Sequence, residues 1–165
     1  MVTMNTTEIN IESIAKIWAL LEEVTDPEIP VLSVLDLGIV RDVNIYGDEV
    51  EVIITPTYSG CPAMDMITIN IKMALLEKGY KNVKVTSVLS PAWTTDWMTD
   101  EGKRKLNEYG IAPPQLSQHS EDALIQCPQC NSFNTKLISQ FGSTACKALF
   151  QCNDCKEPFD HFKCH

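Results

Sequence analysis

The chain has 165 residues, 44% of them hydrophobic, and a formal net charge of −9 at pH 7. That length allows one ordinary domain with a small appended module, and the negative charge disfavours binding to nucleic-acid phosphates. No run of about eighteen apolar residues and no secretory signal pattern is present, so we expect a cytoplasmic protein that does not span a membrane.

An amphipathic helix is predicted near the N-terminus, over residues 10–23. Its apolar residues recur at helical spacing and should pack on the core: Ile11, Ile14, Ala15, Trp18 and Leu21. Two prolines in the segment Asp26-Pro27-Glu28-Ile29-Pro30 exclude a continuing helix. On the residues alone, Asp26 and Glu28 are the solvated acids of a turn, although either could be an acidic partner for a thiol.

A β-hairpin is predicted next. Residues 39–46 alternate apolar and polar side chains, Gly47-Asp48 supplies the turn, and residues 49–55 form the second strand. A third strand around Val83 and Val85 should return beside the first two. We therefore expect an α+β fold in which a small three-stranded sheet packs with helices.

A lone cysteine, Cys61, lies where the second strand gives way to an apolar helix. Proline is favoured at the first helical position, so Pro62 predicts Cys61 at the N-cap. Backbone N–H groups and the helix dipole would stabilise a thiolate there, and the hydroxyls of Thr55 and Thr57 crowd the approach. The alternative is a buried, inert cysteine that acts as a small hydrophobe.

The segment from residue 90 to residue 124 is less regular in its apolar pattern than the residues before it. Residues 90–98 contain two tryptophans, which either form a binding surface or cover the core. A short helix capped by Thr99 follows, and residues 111–124 are rich in Pro, Gln and Ser, as in a linker. We expect domains over residues 1–110 and 125–165, joined by that linker.

Six of the seven cysteines lie in the last 39 residues. Two Cys-x-x-Cys pairs supply the four soft ligands that tetrahedral zinc prefers: Cys127, Cys130, Cys152 and Cys155. This spacing predicts a structural zinc ribbon in a reducing compartment, with a four-thiolate iron centre as the chemical alternative. Cys146, His161, Cys164 and His165 are spare soft ligands.

Three motifs of the first domain resemble the SufT-like family of iron–sulfur assembly factors. They are Asp26-Pro27-Glu28-Ile29-Pro30, Asp36-Leu37-Gly38-Ile39-Val40 and Thr55-x-Thr57-x-x-x-Cys61-Pro62. With the segment 141–149 and the Cys152-x-x-Cys155 pair, the whole chain resembles one family of bacterial phenylacetyl-CoA epoxidase components, known as PaaD or PaaJ.

That resemblance implies an accessory role in aerobic phenylacetate degradation, with the other epoxidase subunits, oxygenase or reductase, as partners. It implies that Cys61 handles iron or an iron–sulfur cluster transiently, with Asp26 and Glu28 beside it and with Thr55 and Thr57 lining the same site. The sequence contains neither paired Glu-x-x-His motifs for a di-iron site nor a glycine-rich dinucleotide fingerprint. The chain is therefore not expected to be a catalyst on its own.

Two other functions stay open. One is a structural subunit that bridges oxygenase and reductase without metal-transfer chemistry. The other is a thiol enzyme, which lacks a convincing base because all three histidines lie in the linker or the tail. Whether the chain forms a homodimer is also open.

Overall fold

The computed structural model describes residues 6–115 and 124–163. They form two compact units, one up to Trp93 and the other from Thr94 onwards. The first unit has helices α1 (Thr6–Glu22) and α2 (Ala63–Glu77) and strands β1 (Val40–Tyr46), β2 (Glu49–Ile54) and β3 (Asn82–Ser87). The expected α+β architecture with a three-stranded sheet is confirmed.

The first sheet has the order β1-β2-β3. Strands β1 and β2 form the antiparallel hairpin, whose turn contains Gly47 at φ 61°. Strands β2 and β3 are parallel, because α2 carries the chain back from the end of β2 to the start of β3. Alternate residues of β2 face the core and are buried: Val50, Val52 and Ile54.

The first helix ends one residue before its predicted end but begins at Thr6, four residues before its predicted start, and its buried face also differs from the prediction. Ile17 and Leu21 are fully buried, whereas Ala15 is exposed and Trp18 is half-buried. The stripe that contacts β1 and α2 therefore follows an i, i+4 row through Ile17 and Leu21. Trp18 lies at the edge of that stripe because the apolar surface of this helix is wider than the face that the core covers.

The second unit contains helix α3 (Asp100–Glu108), which Thr99 caps through its hydroxyl as predicted. Its sheet has the order β4-β7-β6-β5, with β4 (Ile111–Ala112), β5 (Thr135–Ser139), β6 (Lys147–Cys152) and β7 (Pro158–Phe162). Strand β4 pairs in parallel with β7. The interpretation of residues 111–124 as a linker did not include this strand, since two residues carry no periodic signal.

Candidate functional site

Cys61 lies between the end of β2 and the start of α2, and it is half-buried. The helix begins at Ala63, so Pro62 is the N-cap and Cys61 precedes it by one residue. Pro62 itself has helical dihedral angles, φ −67° and ψ −23°, as a residue of the first turn does, so the helix start differs from the predicted one by a single residue. A turn continues back through Cys61, whose carbonyl accepts from the N–H of Met64 at 3.2 Å.

Asp26 shapes the loop that follows α1. Its Oδ1 accepts from the N–H of Glu28 at 2.7 Å and from the N–H of Ile29 at 2.8 Å. An aspartate that accepts two nearby N–H groups fixes a turn. This role is structural, and Glu28 is exposed on the same loop.

The segment 33–39 is held by a reciprocal pair of hydrogen bonds. The N–H of Ser33 donates to Oδ2 of Asp36, and the N–H of Asp36 donates to Oγ of Ser33, both at 3.0 Å. Both residues are buried. The sequence analysis included Asp36 only as part of a motif and did not predict this pair. The Ser-x-x-Asp spacing was the available signal, because it is typical of a capping pair.

Backbone hydrogen bonds join these motifs. The N–H of Asp26 donates to the carbonyl of Leu32 at 2.9 Å, and the N–H of Thr55 donates to the carbonyl of Ile39 at 2.8 Å. The structure thus brings the loop at Asp26 against the segment 32–39, and that segment against the end of β2. No side-chain hydrogen bond between Cys61 and Asp26 or Glu28 occurs among the described residues, so a shared site for all three stays a prediction.

Thr55, six residues before Cys61 in the chain, carries a buried polar atom without a partner among the described residues. The residue is 1% exposed, and its Oγ1 has no hydrogen-bond partner among the described residues. A buried hydroxyl without a partner costs about 1–3 kcal/mol. Such groups are rare in folded proteins, and each one needs a structural or functional explanation. Thr57, two residues further on, is half-buried.

The tryptophan segment covers the core. Trp93 is 4% exposed, and its indole N–H donates to the carbonyl of Leu37 at 2.8 Å. Of the two roles open for this segment, Trp93 therefore takes the core-covering one. Trp97 lies in a short 3-10 helix and is half-buried.

The four cysteines of the second unit converge as the spacing predicts. One ligand atom from each of them lies within 4.8 Å of the others. Sγ of Cys127 is 3.7 Å from Sγ of Cys155, and Sγ of Cys130 is 3.5 Å from Sγ of Cys152. Tetrahedral zinc with bonds of about 2.3 Å places its sulfur ligands roughly 3.8 Å apart. The four sulfurs therefore fit one metal ion.

The two Cys-x-x-Cys turns have the same construction. The N–H of the first cysteine donates to the carbonyl five residues later, Cys127 to Ser132 at 2.9 Å and Cys152 to Glu157 at 3.0 Å. The residue after each second cysteine has a left-handed backbone, Asn131 at φ 61° and Lys156 at φ 68°. This geometry turns both thiols of a pair toward the same point.

Two glutamines complete these turns, and sequence reasoning missed them. Gln126 donates to the carbonyl of Asn131 at 2.9 Å, and Gln151 donates to the carbonyl of Lys156 at 3.1 Å. Each glutamine directly precedes the first cysteine of its pair. The repeated Gln-Cys-x-x-Cys was the available signal.

The thiols of this cluster influence one another. Burial alone would raise the pKa of Cys152, but N–H groups of Cys155 and Asp154 and the neighbouring thiols donate to its sulfur and lower that pKa to about 7. The N–H of Glu157 lowers the pKa of Cys155, yet burial and the other three sulfurs outweigh it and raise that pKa to about 12. A bound cation would stabilise all four sulfurs in their deprotonated form.

The spare soft ligands have other contacts. The Sγ of Cys146 is 3.0 Å from the hydroxyl of Thr144. The imidazole of His161 is buried, with Nδ1 3.1 Å from the carbonyl of Ala112, and burial lowers its pKa to about 4. Neither belongs to the four-sulfur cluster. Cys164 and His165 lie outside the described residues.

Comparison with known proteins assigns each unit to a described family. A family model described as an iron–sulfur cluster assembly protein matches residues 14–88, and one described as the PaaD zinc beta ribbon domain matches residues 111–163. A domain of unknown function from Bacillus anthracis, known from a crystal structure, shares the fold with TM-score 0.58 and 27% identity, over 61% of this chain and 97% of its own. The chain thus combines an iron–sulfur assembly domain with a zinc ribbon.

Two curated relatives refine this class. The Escherichia coli protein named as the putative D subunit of 1,2-phenylacetyl-CoA epoxidase is 52% identical over 153 residues, which cover 90% of this chain and 92% of that protein. The "Fe-S protein maturation auxiliary factor" of Porphyromonas gingivalis is 39% identical over 53% of this chain and 84% of its own length. The chain belongs to the PaaD family of phenylacetyl-CoA epoxidase components.

Across the part of the chain that the structure describes, no helix is both long enough and apolar enough to cross a membrane.

Proposed function

We propose that this protein is an accessory factor that assists assembly of an iron or iron–sulfur centre in a phenylacetyl-CoA epoxidase system. The observation that carries this proposal is the half-buried Cys61 thiol at the junction of β2 and α2, within the domain that the assembly-protein model matches. A thiol in this position can reach a metal ion and is still shielded on one side by the fold. Iron or a cluster is the cargo in this proposal, and Cys61 is its ligand.

Thr55 supports a binding function at the same place. Its hydroxyl is buried without a partner among the described residues, directly after β2 and six residues before Cys61. A purely structural position would gain stability if valine, which has the same shape, replaced this threonine. We propose that the hydroxyl donates a hydrogen bond to a sulfide of a cluster or to a ligand that accompanies the metal, with Thr57, Asp26 and Glu28 near the same site.

We propose that the zinc ribbon holds the second unit together and binds the client protein. Its four thiolates fill a tetrahedral coordination sphere, so bound zinc would be structural. Several large apolar side chains on and around β5, an edge strand, are exposed to solvent: Phe133, Leu137, Ile138 and Phe141. Exposed apolar surface of this kind is typical of a protein contact, and the oxygenase and reductase subunits are the proposed partners.

That exposed surface also favours a second candidate function, a structural subunit that bridges oxygenase and reductase without metal transfer. The two functions differ in their dependence on Cys61. A bridging subunit requires the apolar surface of the ribbon and has no use for the thiol.

The test uses a strain that lacks the native gene and expresses the epoxidase subunits with wild-type protein or with Cys61→Ser. We expect Cys61→Ser to fold normally and to lower the iron content and the activity of the purified epoxidase. Cys146→Ser, which removes a buried thiol of the second unit, is the matched control and should leave both unchanged. Full metallation of the epoxidase with Cys61→Ser would reject the assembly function, and a normal co-purified complex in that strain would favour the bridging subunit.

Thr55→Val adds a second, independent readout. If the hydroxyl serves a ligand, this variant should lower client iron content while raising the unfolding free energy of the first unit by about 1 kcal/mol. Greater stability with unchanged client iron would assign Thr55 no role in the site.

A further inference from the structure

Helix α2 carries two apolar faces. Ile67, Ile71 and Leu75 are buried against the core of the first unit. On the opposite side, four large side chains are between 45% and 52% exposed: Met66, Ile69, Met73 and Leu76. We call these four residues the exposed stripe. Single apolar side chains on a surface need no explanation, but a continuous row of four along one helix does.

The spacing within the exposed stripe is that of a coiled coil. Its members follow one another at intervals of three, four and three residues. Apolar residues at these intervals occupy the a and d positions of a heptad, which form the contact line between two paired helices. An amphipathic helix that only packs on its own sheet needs one apolar face, and α2 already has that face on the other side.

The charged residues beside the exposed stripe indicate which helix it pairs with. Lys72 and Glu77 lie next to the stripe on its two opposite sides, at the g and e positions of the heptad. In a parallel pair of two identical helices, Lys72 of each copy faces Glu77 of the other, so both contacts unite opposite charges. An antiparallel pair centred on the stripe brings the two Lys72 side chains together, which is unfavourable.

We propose that the exposed stripe of α2 pairs in parallel with the same stripe of a second copy of this chain. This proposal does not depend on the role of Cys61, and either one can fail without the other.

The pair is expected to be reversible. The stripe spans about ten residues, or about 15 Å of helix, which is short for an interface, since stable complexes bury roughly 800 Å² on each partner. The dimer should therefore dissociate on dilution within the micromolar range. Two such helices have parallel directions, so both copies present the start of α2, and with it Cys61, at the same end of the dimer.

The test is sedimentation velocity of the full-length, metal-loaded protein under reducing conditions, over a series of concentrations. We expect a monomer–dimer equilibrium that Ile69→Glu abolishes while circular dichroism shows an unchanged fold. A chain that is monomeric at every concentration, or an Ile69→Glu variant that pairs like wild type, would overturn the proposal.

Charge exchange tests the orientation on residues that do not contribute to the core. Lys72→Glu and Glu77→Lys should each raise the dissociation constant about tenfold, and the double exchange should restore it. Lys81→Glu, at an exposed position outside α2, is the control and should leave pairing unchanged. If the double variant pairs no better than either single variant, the parallel arrangement is wrong.

Discussion

The stability of the zinc ribbon should depend on its cysteines more than on its apolar core. Cys127 and Cys152 are fully buried and pack with Ala112, Ile125 and Phe159. Burying an isoleucine or phenylalanine stabilises a fold by about 1.5–3 kcal/mol. A structural zinc site contributes about 10–16 kcal/mol in small zinc domains. We therefore predict that Cys152→Ser releases the metal. The whole contribution of the site is then lost, which exceeds what both large apolar side chains supply and unfolds the ribbon.

Hydrogen exchange by mass spectrometry, with metal analysis of the same sample, measures this outcome. In wild type, amides of β5, β6 and β7 should be protected and about one zinc ion should be bound per chain. In Cys152→Ser, or after chelation of wild type, protection should disappear from residues 135–162 and remain in residues 12–93. The matched control is Cys146→Ser, whose buried thiol lies outside the cluster and whose loss should leave the metal bound.

Two results would refute this reasoning. Retention of protection in β6 and β7 after complete metal removal would mean that the core alone supports the ribbon. Loss of protection in the first unit would mean that the two units do not unfold independently, and it would also contradict the proposed domain organisation.

Three further predictions concern single contacts. Trp93→Phe leaves the carbonyl of Leu37 without its indole donor and should lower the unfolding free energy of the first unit by about 1–3 kcal/mol in urea; a loss below roughly 0.5 kcal/mol would contradict that role. His161 has a pKa of about 4 in the folded chain and about 6.5 when unfolded, so the unfolded state binds more protons between these values. Stability should therefore be complete above pH 6.5 and fall as the pH drops toward 4, by up to about 3 kcal/mol, and His161→Gln should flatten that slope relative to wild type. Lys156→Asn should raise the melting temperature of the ribbon, since asparagine tolerates the left-handed backbone at this position, while Asn131→Lys should lower it; equal effects of the same sign would show that backbone strain is not the cause.

The metal centre was predictable from the sequence because its geometry is local. Each Cys-x-x-Cys turn is built within six residues, from Cys127 to Ser132 and from Cys152 to Glu157, so spacing alone determines where the thiols point. The same holds for the β1–β2 hairpin, whose turn contains Gly47.

Features that depend on distant parts of the chain were harder to predict. The buried face of α1 is set by the sheet and α2, so helical spacing alone selected Ala15 and did not include Ile17. Strand β4 exists only because β7 pairs with it, 49 residues later. The unpartnered hydroxyl of Thr55 is likewise visible only when the neighbours of its side chain are known.

The parallel connection from β2 through α2 to β3 has an evolutionary consequence. Cys61 and the residues from Thr55 onwards occupy the connection that leaves the end of β2, while the buried positions of the sheet lie in the strands themselves. Under the proposed function, substitutions at Pro56, Thr57 and Ser59 would change which client or which metal the thiol accepts while leaving the buried strands intact. Gly60 is different, because its φ of 83° is a left-handed conformation that other residues rarely adopt. Under that proposal, members of one family diverge in specificity through this short segment, and redesign of such a factor for a new client begins there.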